Sequence, residues 1–274
     1  MRDVASYRRV TSSDGALISV RSVGAGAGIV LVPGVGRGAN DYARLAADLA
    51  PQFAVHGIDR RGRGESDPQG DGYSIEREVD DLAAVLEATD SHFVFGHSYG
   101  GLIGLEGARS LPIERLAVWE PAVSLDGSFP ARELQSFSAA VAGGRCASAQ
   151  AMVVKAVIGR PYDALPLAVI RALVAVYARW TGGRVTASLV ATMSRELAEI
   201  VRLDSDGQRY AGIGADTLLL AGARSRAFLT TPCRELARVI PRAEARSLPG
   251  LAHMAPDIQA PARVAEELRA FFSE

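Results

Sequence analysis

The chain has 274 residues, 48% of them hydrophobic, which is enough for one sizeable core with room for an inserted subdomain. Its 30 Lys and Arg residues nearly balance 31 Asp and Glu residues, and the arginines form no long basic run. This charge pattern gives no reason to expect nucleic acid or an anionic membrane surface as a partner.

The apolar runs and the cysteines bear on location and on cofactors. No run approaches the roughly 18 apolar residues of a membrane span, and the first ten residues lack a stretch typical of a signal peptide. Cys146 and Cys233 lie far apart, and there are four histidines without CxxC or HExxH spacing. We therefore expect a cytoplasmic protein with reduced cysteines, no metal site and no cofactor.

Strands and helices alternate in the first 121 residues. Apolar, β-branched runs bounded by Gly or Pro predict strands, whereas apolar residues at helical spacing predict helices. The predicted strands are 16–23, 28–32, 53–58, 93–95 and 115–119, and the predicted helices are 40–50, 74–88 and 98–109. Such alternation is typical of a mostly parallel sheet covered by helices on both faces.

The pattern changes after residue 121, and alternation resumes after residue 214. The intervening residues predict no strand but four helices, at 131–142, 148–158, 164–180 and 186–203. A strand at 217–220, a helix opened by Thr231 and Pro232, a strand at 244–248 and a helix at 262–272 follow. We predict an α/β fold with a doubly wound, mostly parallel sheet of about eight strands. Residues 1–121 and 215–274 form its core domain, and residues 122–214 form an inserted helical lid.

A serine stands between glycines where a predicted strand runs into a predicted helix, in FVFGHSYGG at residues 93–101. One interpretation is structural: the glycines permit a sharp turn, and Ser98 caps the helix. The other is chemical, because such a turn presents a serine hydroxyl as a nucleophile. The chemical interpretation needs a base and donors for an oxyanion elsewhere in the chain.

Six segments, in their order along the chain, resemble the α/β-hydrolase family over nearly the whole length, most weakly at 122–214. They are LVPGVG (31–36), DRRGRGESD (59–67), GHSYGG (96–101), WEP (119–121), TLLLAG (217–222) and LPGLAHMAPD (248–257). The resemblance implies a serine hydrolase that cleaves a carboxylic ester, lactone or thioester of a mainly apolar small molecule through an acyl-enzyme. It argues against epoxide hydrolases and haloalkane dehalogenases, whose nucleophile is an aspartate.

The resemblance also implies which residues assist Ser98. The base is a histidine that follows the nucleophile, and only His253 does so. The oxyanion hole is made by two backbone N–H groups, those of Tyr99 and of Val35. The family often has His-Gly before the second donor, where this chain has Pro33-Gly34. The other histidines, His56, His92 and His97, are interpreted as packing residues.

The acid that orients the histidine departs from the family's commonest pattern. That pattern places an aspartate near Ser225, but no Asp or Glu occurs between Asp216 and Glu235. Glu120 ends the strand before the predicted lid, on the same edge as Ser98, and some family members place the acid there. We predict that Glu120 accepts a hydrogen bond from His253 Nδ1.

Alternatives remain open for the acid and for the function. Glu120 would otherwise only hydrogen-bond the turn at Pro121, leaving a Ser–His dyad or an acid from the lid, Asp204 or Asp206. A cofactor-free lyase or cyclase, or a non-catalytic protein that binds a small molecule, would use the same scaffold. The oligomeric state is left open.

Other conspicuous side chains are interpreted mainly as structural. In DRRGRGESD we expect Asp59 and Ser66 to hold a turn, and Arg60, Arg63 and Glu65 to be structural. Most large apolar residues of the lid should pack its helices, and a minority should line the pocket. These residues are Phe137, Met152, Leu173, Tyr177, Trp180 and Met193.

Overall fold

A single eight-stranded sheet forms the centre of the molecule, with strand order β1-β2-β4-β3-β5-β6-β7-β8. The computed structural model describes residues 5–158, 164–181 and 187–274, without the side chains at 131, 132, 158, 177–181, 187 and 188. The strands are β1 (Ser6–Thr11), β2 (Leu17–Val23), β3 (Ala27–Val32), β4 (Phe53–Asp59), β5 (Phe93–His97), β6 (Arg115–Trp119), β7 (Asp216–Gly222) and β8 (Ala243–Leu248). The pairs β1–β2 and β2–β4 are antiparallel, and all other neighbouring strands are parallel. The predicted α/β class with a mostly parallel sheet is confirmed.

Helices cover both faces of this sheet, as the doubly wound prediction requires. Helices α1 (Ala43–Leu49) and α9 (Pro261–Phe272) pack on one face, and α2 (Ile75–Thr89), α3 (Tyr99–Gly107) and α8 (Ala227–Val239) pack on the other. The central strands are therefore apolar on both sides, and the last four residues of the run AGIVLV in β3 are buried. Within the described residues, no helix is both long enough and apolar enough to cross a membrane.

Four helices lie between β6 and β7 in chain order, within residues 122–214, which we call the helical block. They are α4 (Ala131–Ala142), α5 (Cys146–Ile158), α6 (Leu167–Thr181) and α7 (Ala187–Arg202). Phe137, Val190 and Met193 belong to a small apolar core of this block. The two ends of the block meet in a β-bridge between Leu125 and Ser205, so the chain leaves and re-enters the sheet at neighbouring points.

Two elements differ from the sequence-based prediction. Strand β1 was not among the strands predicted from the sequence, because its residues SYRRVT are mostly exposed and show no apolar alternation. Helix α8 begins at Ala227, so Pro232 lies inside the helix and not in its first turn. The proline therefore leaves the carbonyl of Phe228 without its intrahelical donor, and the helix continues through this lost bond.

Candidate active site

Ser98 stands at the junction of β5 and α3 with a backbone conformation that is unusual for a residue with a side chain. Its φ is 55° and its ψ is −116°, a strained combination for an L-residue. A Cβ on Gly96 would lie 2.3 Å from the Gly100 oxygen, and one on Gly100 would lie 2.0 Å from the Val32 oxygen. Only glycines allow the turn to close this tightly. Ser98 occupies the N-cap position of α3, yet its side chain makes no capping hydrogen bond, which removes support from the structural interpretation.

His253 and Glu120 lie side by side, although 133 residues separate them in the chain. His253 Nδ1 is 2.7 Å from Glu120 Oε2, and the other carboxylate oxygen accepts the Gly222 N–H at 2.7 Å. Glu120 is fully buried, and His253 is nearly so. A carboxylate oxygen can accept a hydrogen bond from Nδ1 only if Nδ1 carries a proton. The contact therefore favours the tautomer whose Nε2 has no proton and is open to act as a base.

The loop that carries His253 is held in place on both sides of the histidine. The Ala252 N–H donates to the side-chain oxygen of Gln259 at 2.9 Å. One turn of π-helix, Ala255–Gln259, follows the histidine. π-Turns of this kind occur frequently at functional sites.

The other acids considered from the sequence have different partners. Asp216 begins β7, at the opposite end of the strand from Gly222, and accepts a hydrogen bond from Arg242 at 2.6 Å. Asp204 bonds to the Ser124 hydroxyl and to the Gly127 N–H at the base of the helical block. Asp206 accepts the N–H of Gln208 at 3.0 Å.

Ser225, near the family's commonest position for the acid, makes no side-chain contact of this kind. Its hydroxyl is buried and has no hydrogen-bond partner among the described residues. Of the acids considered, the structure brings only Glu120 to His253.

The segment 33–37, which we call the oxyanion loop, lies beside the nucleophile turn. Val35 lines the same cavity as Ser98. Tyr99 is the first residue of α3, so its backbone N–H has no acceptor within the helix. The Tyr99 side chain is buried and its hydroxyl is 3.1 Å from that of Tyr73. Of the two residues predicted to supply the donors, Val35 thus shares a cavity with Ser98, and Tyr99 follows Ser98 directly in the chain.

Tyr42 connects the oxyanion loop to His97, the residue before Ser98. Its hydroxyl accepts the Gly34 N–H at 3.2 Å and lies 2.6 Å from His97 Nδ1. Burial, followed by the nearby His253 and Arg37, holds the pKa of His97 well below its ordinary value. Burial also raises the pKa of Tyr42. The tyrosine therefore keeps its proton, and its hydroxyl donates a hydrogen bond to Nδ1 of a neutral His97.

The histidines interpreted as packing residues all have structural hydrogen-bond partners. His56 Nδ1 is 2.8 Å from the Ser22 hydroxyl, and His92 Nδ1 is 3.2 Å from the Pro112 carbonyl. His97 has Tyr42, as described above. Only His253 joins a carboxylate to the cavity wall.

The segment DRRGRGESD contributes more to the site than its sequence indicates. Ser66 donates to the Asp59 carbonyl at 2.5 Å, and the Asp59 carboxylate accepts the Ala39 N–H at 2.8 Å, so both hold turns as expected. Glu65 is exposed and pairs with Arg9. Arg60, in contrast, is buried and donates to the carbonyls of the oxyanion loop.

A cavity of about 200 Å³ opens in front of Ser98 and His253. Its walls are mainly apolar, and the helical block supplies Phe129, Leu134, Phe137, Met152, Val153 and Met193. Thus three of the large apolar residues singled out from the sequence line the cavity. Leu173 is 47% exposed, and the side chains of Tyr177 and Trp180 lie outside the described part of the chain.

Polar side chains on the cavity wall are few. Besides the histidines and Ser98, they are Arg37, Glu133 and Gln150. Arg37 Nε is 2.8 Å from the buried carboxylate of Asp257. Among the residues that the structure describes, no group of three or more His, Cys, Asp or Glu side chains is arranged to hold a metal ion.

A model of the alpha/beta hydrolase family matches residues 29–267. The chain belongs to the alpha/beta hydrolase family. An alpha/beta hydrolase from Sphaerobacter thermophilus is 32% identical, with a TM-score of 0.79 over 97% of this chain and 100% of that one. A hydrolase from Pseudomonas aeruginosa is 22% identical, with a TM-score of 0.77 over 98% of each chain, and at this identity the likeness concerns the fold alone.

Curated hydrolases match a shorter stretch of this family member. The uncharacterized hydrolase YraK of Bacillus subtilis is 36% identical over 96 residues, which are 34% of this chain and 35% of YraK. The stretch that matches the curated relatives thus spans about a third of their length. These relatives are consistent with a hydrolase, and one of them, from Azorhizobium caulinodans, is named as a putative carbamate hydrolase.

Proposed function

We propose that this alpha/beta hydrolase cleaves a carboxylic ester, lactone or thioester of a mainly apolar small molecule, with Ser98 as nucleophile. One observation carries the proposal: a strained Ser98 and a His253 held by Glu120 line the same cavity. The serine turn alone is compatible with a structural role. A buried carboxylate on the far nitrogen of the histidine is what an acyl-transfer base requires.

The first half of the reaction forms an acyl-enzyme. His253 Nε2 removes the proton from Ser98 Oγ as that oxygen attacks the substrate carbonyl. The backbone N–H groups of Val35 and Tyr99 donate to the resulting oxyanion, and each such donor contributes roughly 10²–10³ in rate. The Glu120 carboxylate stabilises the imidazolium that forms on His253. His253 then gives its proton to the leaving alcohol or thiol as the carbon–oxygen or carbon–sulfur bond breaks, which completes the acyl-enzyme.

The second half releases the acyl group. The neutral imidazole takes a proton from a water molecule as that water attacks the acyl carbon, and the proton then passes to Ser98 Oγ as the acyl–serine bond breaks. In both halves His253 Nε2 carries the transferred proton, and the reaction as written needs no metal or cofactor.

The cavity supports a small, mainly neutral substrate. Its volume of about 200 Å³ is below the roughly 300–1,000 Å³ of pockets for drug-sized ligands. We propose that residues 122–214 act as a lid whose apolar side chains hold the acyl group, and that residues 1–121 and 215–274 form the catalytic core. Small molecules are then the only partners that the reaction requires.

A fluorophosphonate probe tests the nucleophile directly. We expect one covalent adduct by intact-protein mass spectrometry and none in Ser98→Ala. The same preparations are then compared on esters, lactones and thioesters of increasing acyl length with one leaving group. We expect kcat/KM to rise with apolar length up to a limit.

The outcomes separate the proposed reaction from its alternatives. Folded protein without an adduct would favour a non-catalytic binding protein. An adduct without turnover of any acyl compound would favour a lyase or cyclase. Best turnover of charged acyl groups would contradict the apolar substrate.

A further inference from the structure

Arg60 joins three parts of the molecule in one buried cluster: the oxyanion loop, helix α2 and helix α7 of the helical block. We propose that Arg60 is a positioning residue for the oxyanion hole, and that Glu196 on α7 makes this positioning depend on the docking of that helix. The proposal rests on the proposed acyl-transfer function. It concerns how the Val35 N–H is aimed and not the chemical step itself.

The contacts with the oxyanion loop are two charge-assisted hydrogen bonds. Arg60 Nε donates to the Pro33 carbonyl and Nη2 donates to the Gly34 carbonyl, each at 2.9 Å. The Gly34 carbonyl and the Val35 N–H belong to one planar peptide group, in which they point in opposite directions. By fixing that carbonyl, Arg60 fixes the direction of the proposed oxyanion donor.

The second oxyanion donor is also next to Arg60. The guanidinium carbon lies 5.0 Å from the centre of the Tyr99 ring, within the range of a cation–π contact. The backbone of Tyr99 supplies the N–H at the start of α3. Arg60 therefore contacts Tyr99 itself and the Gly34 carbonyl of the peptide group that contains the Val35 N–H.

Helix α7 reaches this cluster through Glu196, whose side chain is fully buried. Glu196 accepts from Arg60 at 3.2 and 3.3 Å, from Gln69 at 3.2 Å, and also from Arg63. Glu78 of α2 accepts from Arg60 at 2.7 Å. Burial opposes the charge on Arg60, but Glu196 and Glu78 raise the pKa of its guanidinium well above the ordinary value.

These charges balance only while α7 is docked. With α7 in place, the positive charges of Arg60 and Arg63 are balanced by Glu196 and Glu78. Without Glu196, only Glu78 remains to compensate the two arginines, and a buried uncompensated charge is costly. Arg60 would then turn toward solvent or toward Glu78, and the oxyanion loop would lose its two donors.

The neighbouring Arg61 is a matched control. It is also buried and forms two ion pairs, with Asp81 at 2.7 Å and with Asp14 at 2.7 Å. Within the described residues its side chain bonds to these two carboxylates and not to the oxyanion loop. Arg-to-Lys replacement keeps the charge at either position but removes the planar fork that holds several acceptors at once.

The experiment compares Arg60→Lys, Glu196→Gln, their combination and Arg61→Lys. Fluorophosphonate titration counts active serines, so kcat is expressed per active site. We expect Arg60→Lys to lower kcat about 10-fold or more with little change in KM, since an oxyanion donor is worth roughly 10²–10³. A trifluoromethyl ketone, which forms an oxyanion adduct, should lose affinity in parallel, whereas its methyl ketone counterpart should not.

Glu196→Gln should act in the same direction, and the combined variant should lose less than the product of the two single losses. Equal kcat per active site in Arg60→Lys and Arg61→Lys would overturn the positioning role. An unaffected Glu196→Gln would overturn the dependence on α7.

Amide hydrogen exchange of residues 33–37 provides a readout that does not need turnover. It should be faster in Arg60→Lys and Glu196→Gln than in Arg61→Lys, and equal rates would overturn the inference. If the wild type neither labels nor hydrolyses, the proposed function fails, and this exchange comparison still decides whether Arg60 holds the loop.

Discussion

In the proposed function, the carboxyl ends of β6 and β7, two neighbouring parallel strands, exchange the roles that the family most often gives them. β6 ends at Trp119, followed by a fully buried Glu120 that contacts His253. β7 ends at Gly222, whose N–H donates to that same carboxylate, and a little further on Ser225 is buried without a hydrogen-bond partner among the described residues. The strand end that most often supplies the acid here supplies a backbone donor to it.

The comparison indicates that a carboxylate can reach the histidine from either strand end, whatever its place in the chain. β6 lies next to β5, which carries Ser98, and β7 lies on its other side. A carboxylate on either strand end is therefore near the histidine loop after β8. Triads are recognised by geometry and by the roles of their members, and sequence position alone does not identify them.

Glu120→Gln should produce the largest effect on this comparison. Two donors, the His253 Nδ1–H and the Gly222 N–H, need the two carboxylate oxygens, and glutamine offers only one oxygen. The imidazolium would also lose its counter-charge. We expect kcat to fall by about 10⁴, as on neutralising a triad acid elsewhere, measured by ester hydrolysis with folding checked by circular dichroism.

Glu106→Gln is the matched control for this variant. Glu106 is also buried, and it accepts from Tyr210 at 2.8 Å and from Arg209 at 3.0 Å, away from the cavity. It should keep normal turnover even if its stability falls. Near wild-type turnover in Glu120→Gln would instead leave Ser98 and His253 as a dyad.

The sequence indicated most of the fold and the residues near Ser98, because local patterns determine them. The parallel sheet followed from apolar runs, and Ser98 from a motif whose glycines are required by the backbone itself. The proximity of Glu120 to His253 was predicted from the strand-end position together with the lack of an acid after β7. That argument uses topology, which alternating strands and helices reveal.

What the sequence did not indicate depends on contacts between distant segments. Arg60 was interpreted as structural because its contacts are distant in the chain. It follows β4, whereas its acceptors Pro33 and Gly34 follow β3, and its carboxylate partner Glu196 lies 136 residues away in α7. The start of α8 was misplaced because the preference of proline for the first turn outweighed the apolar residues before it. Strand β1 lacked an apolar pattern because most of its residues are exposed.

Gly222→Ala should have an intermediate effect, because β7 ends against the histidine loop. A Cβ on Gly222 would lie 2.5 Å from the Leu251 carbonyl and 2.7 Å from the Ala252 nitrogen. The backbone just before His253 would have to move, and a shift of about 1 Å at a catalytic group can cost 10²-fold. We expect kcat to fall by roughly that factor while Glu120 stays in place.

Gly214→Ala, just before β7, is its control, since nothing lies within 4 Å of a Cβ there. If Gly222→Ala and Gly214→Ala both retained wild-type kcat, the end of β7 would not support the histidine loop. Only the end of β6 would then matter for the position of His253.

Ser225→Ala should have the smallest effect, and it tests whether the commonest acid position is truly vacant. The Ser225 hydroxyl is buried without a partner among the described residues, whereas its backbone N–H donates to the Gly222 carbonyl at 3.0 Å. Alanine keeps that backbone bond and removes a buried hydroxyl whose desolvation costs roughly 1–3 kcal/mol. The free energy of unfolding should therefore stay equal or rise by about 1 kcal/mol, which corresponds to a Tm increase of about 2–4 °C. Turnover should stay within about twofold of wild type, because Glu120 alone contacts His253 Nδ1 among the acids considered. A loss of kcat by orders of magnitude in folded Ser225→Ala would mean that this hydroxyl orients the histidine, and the acid role would pass from β6 back to β7.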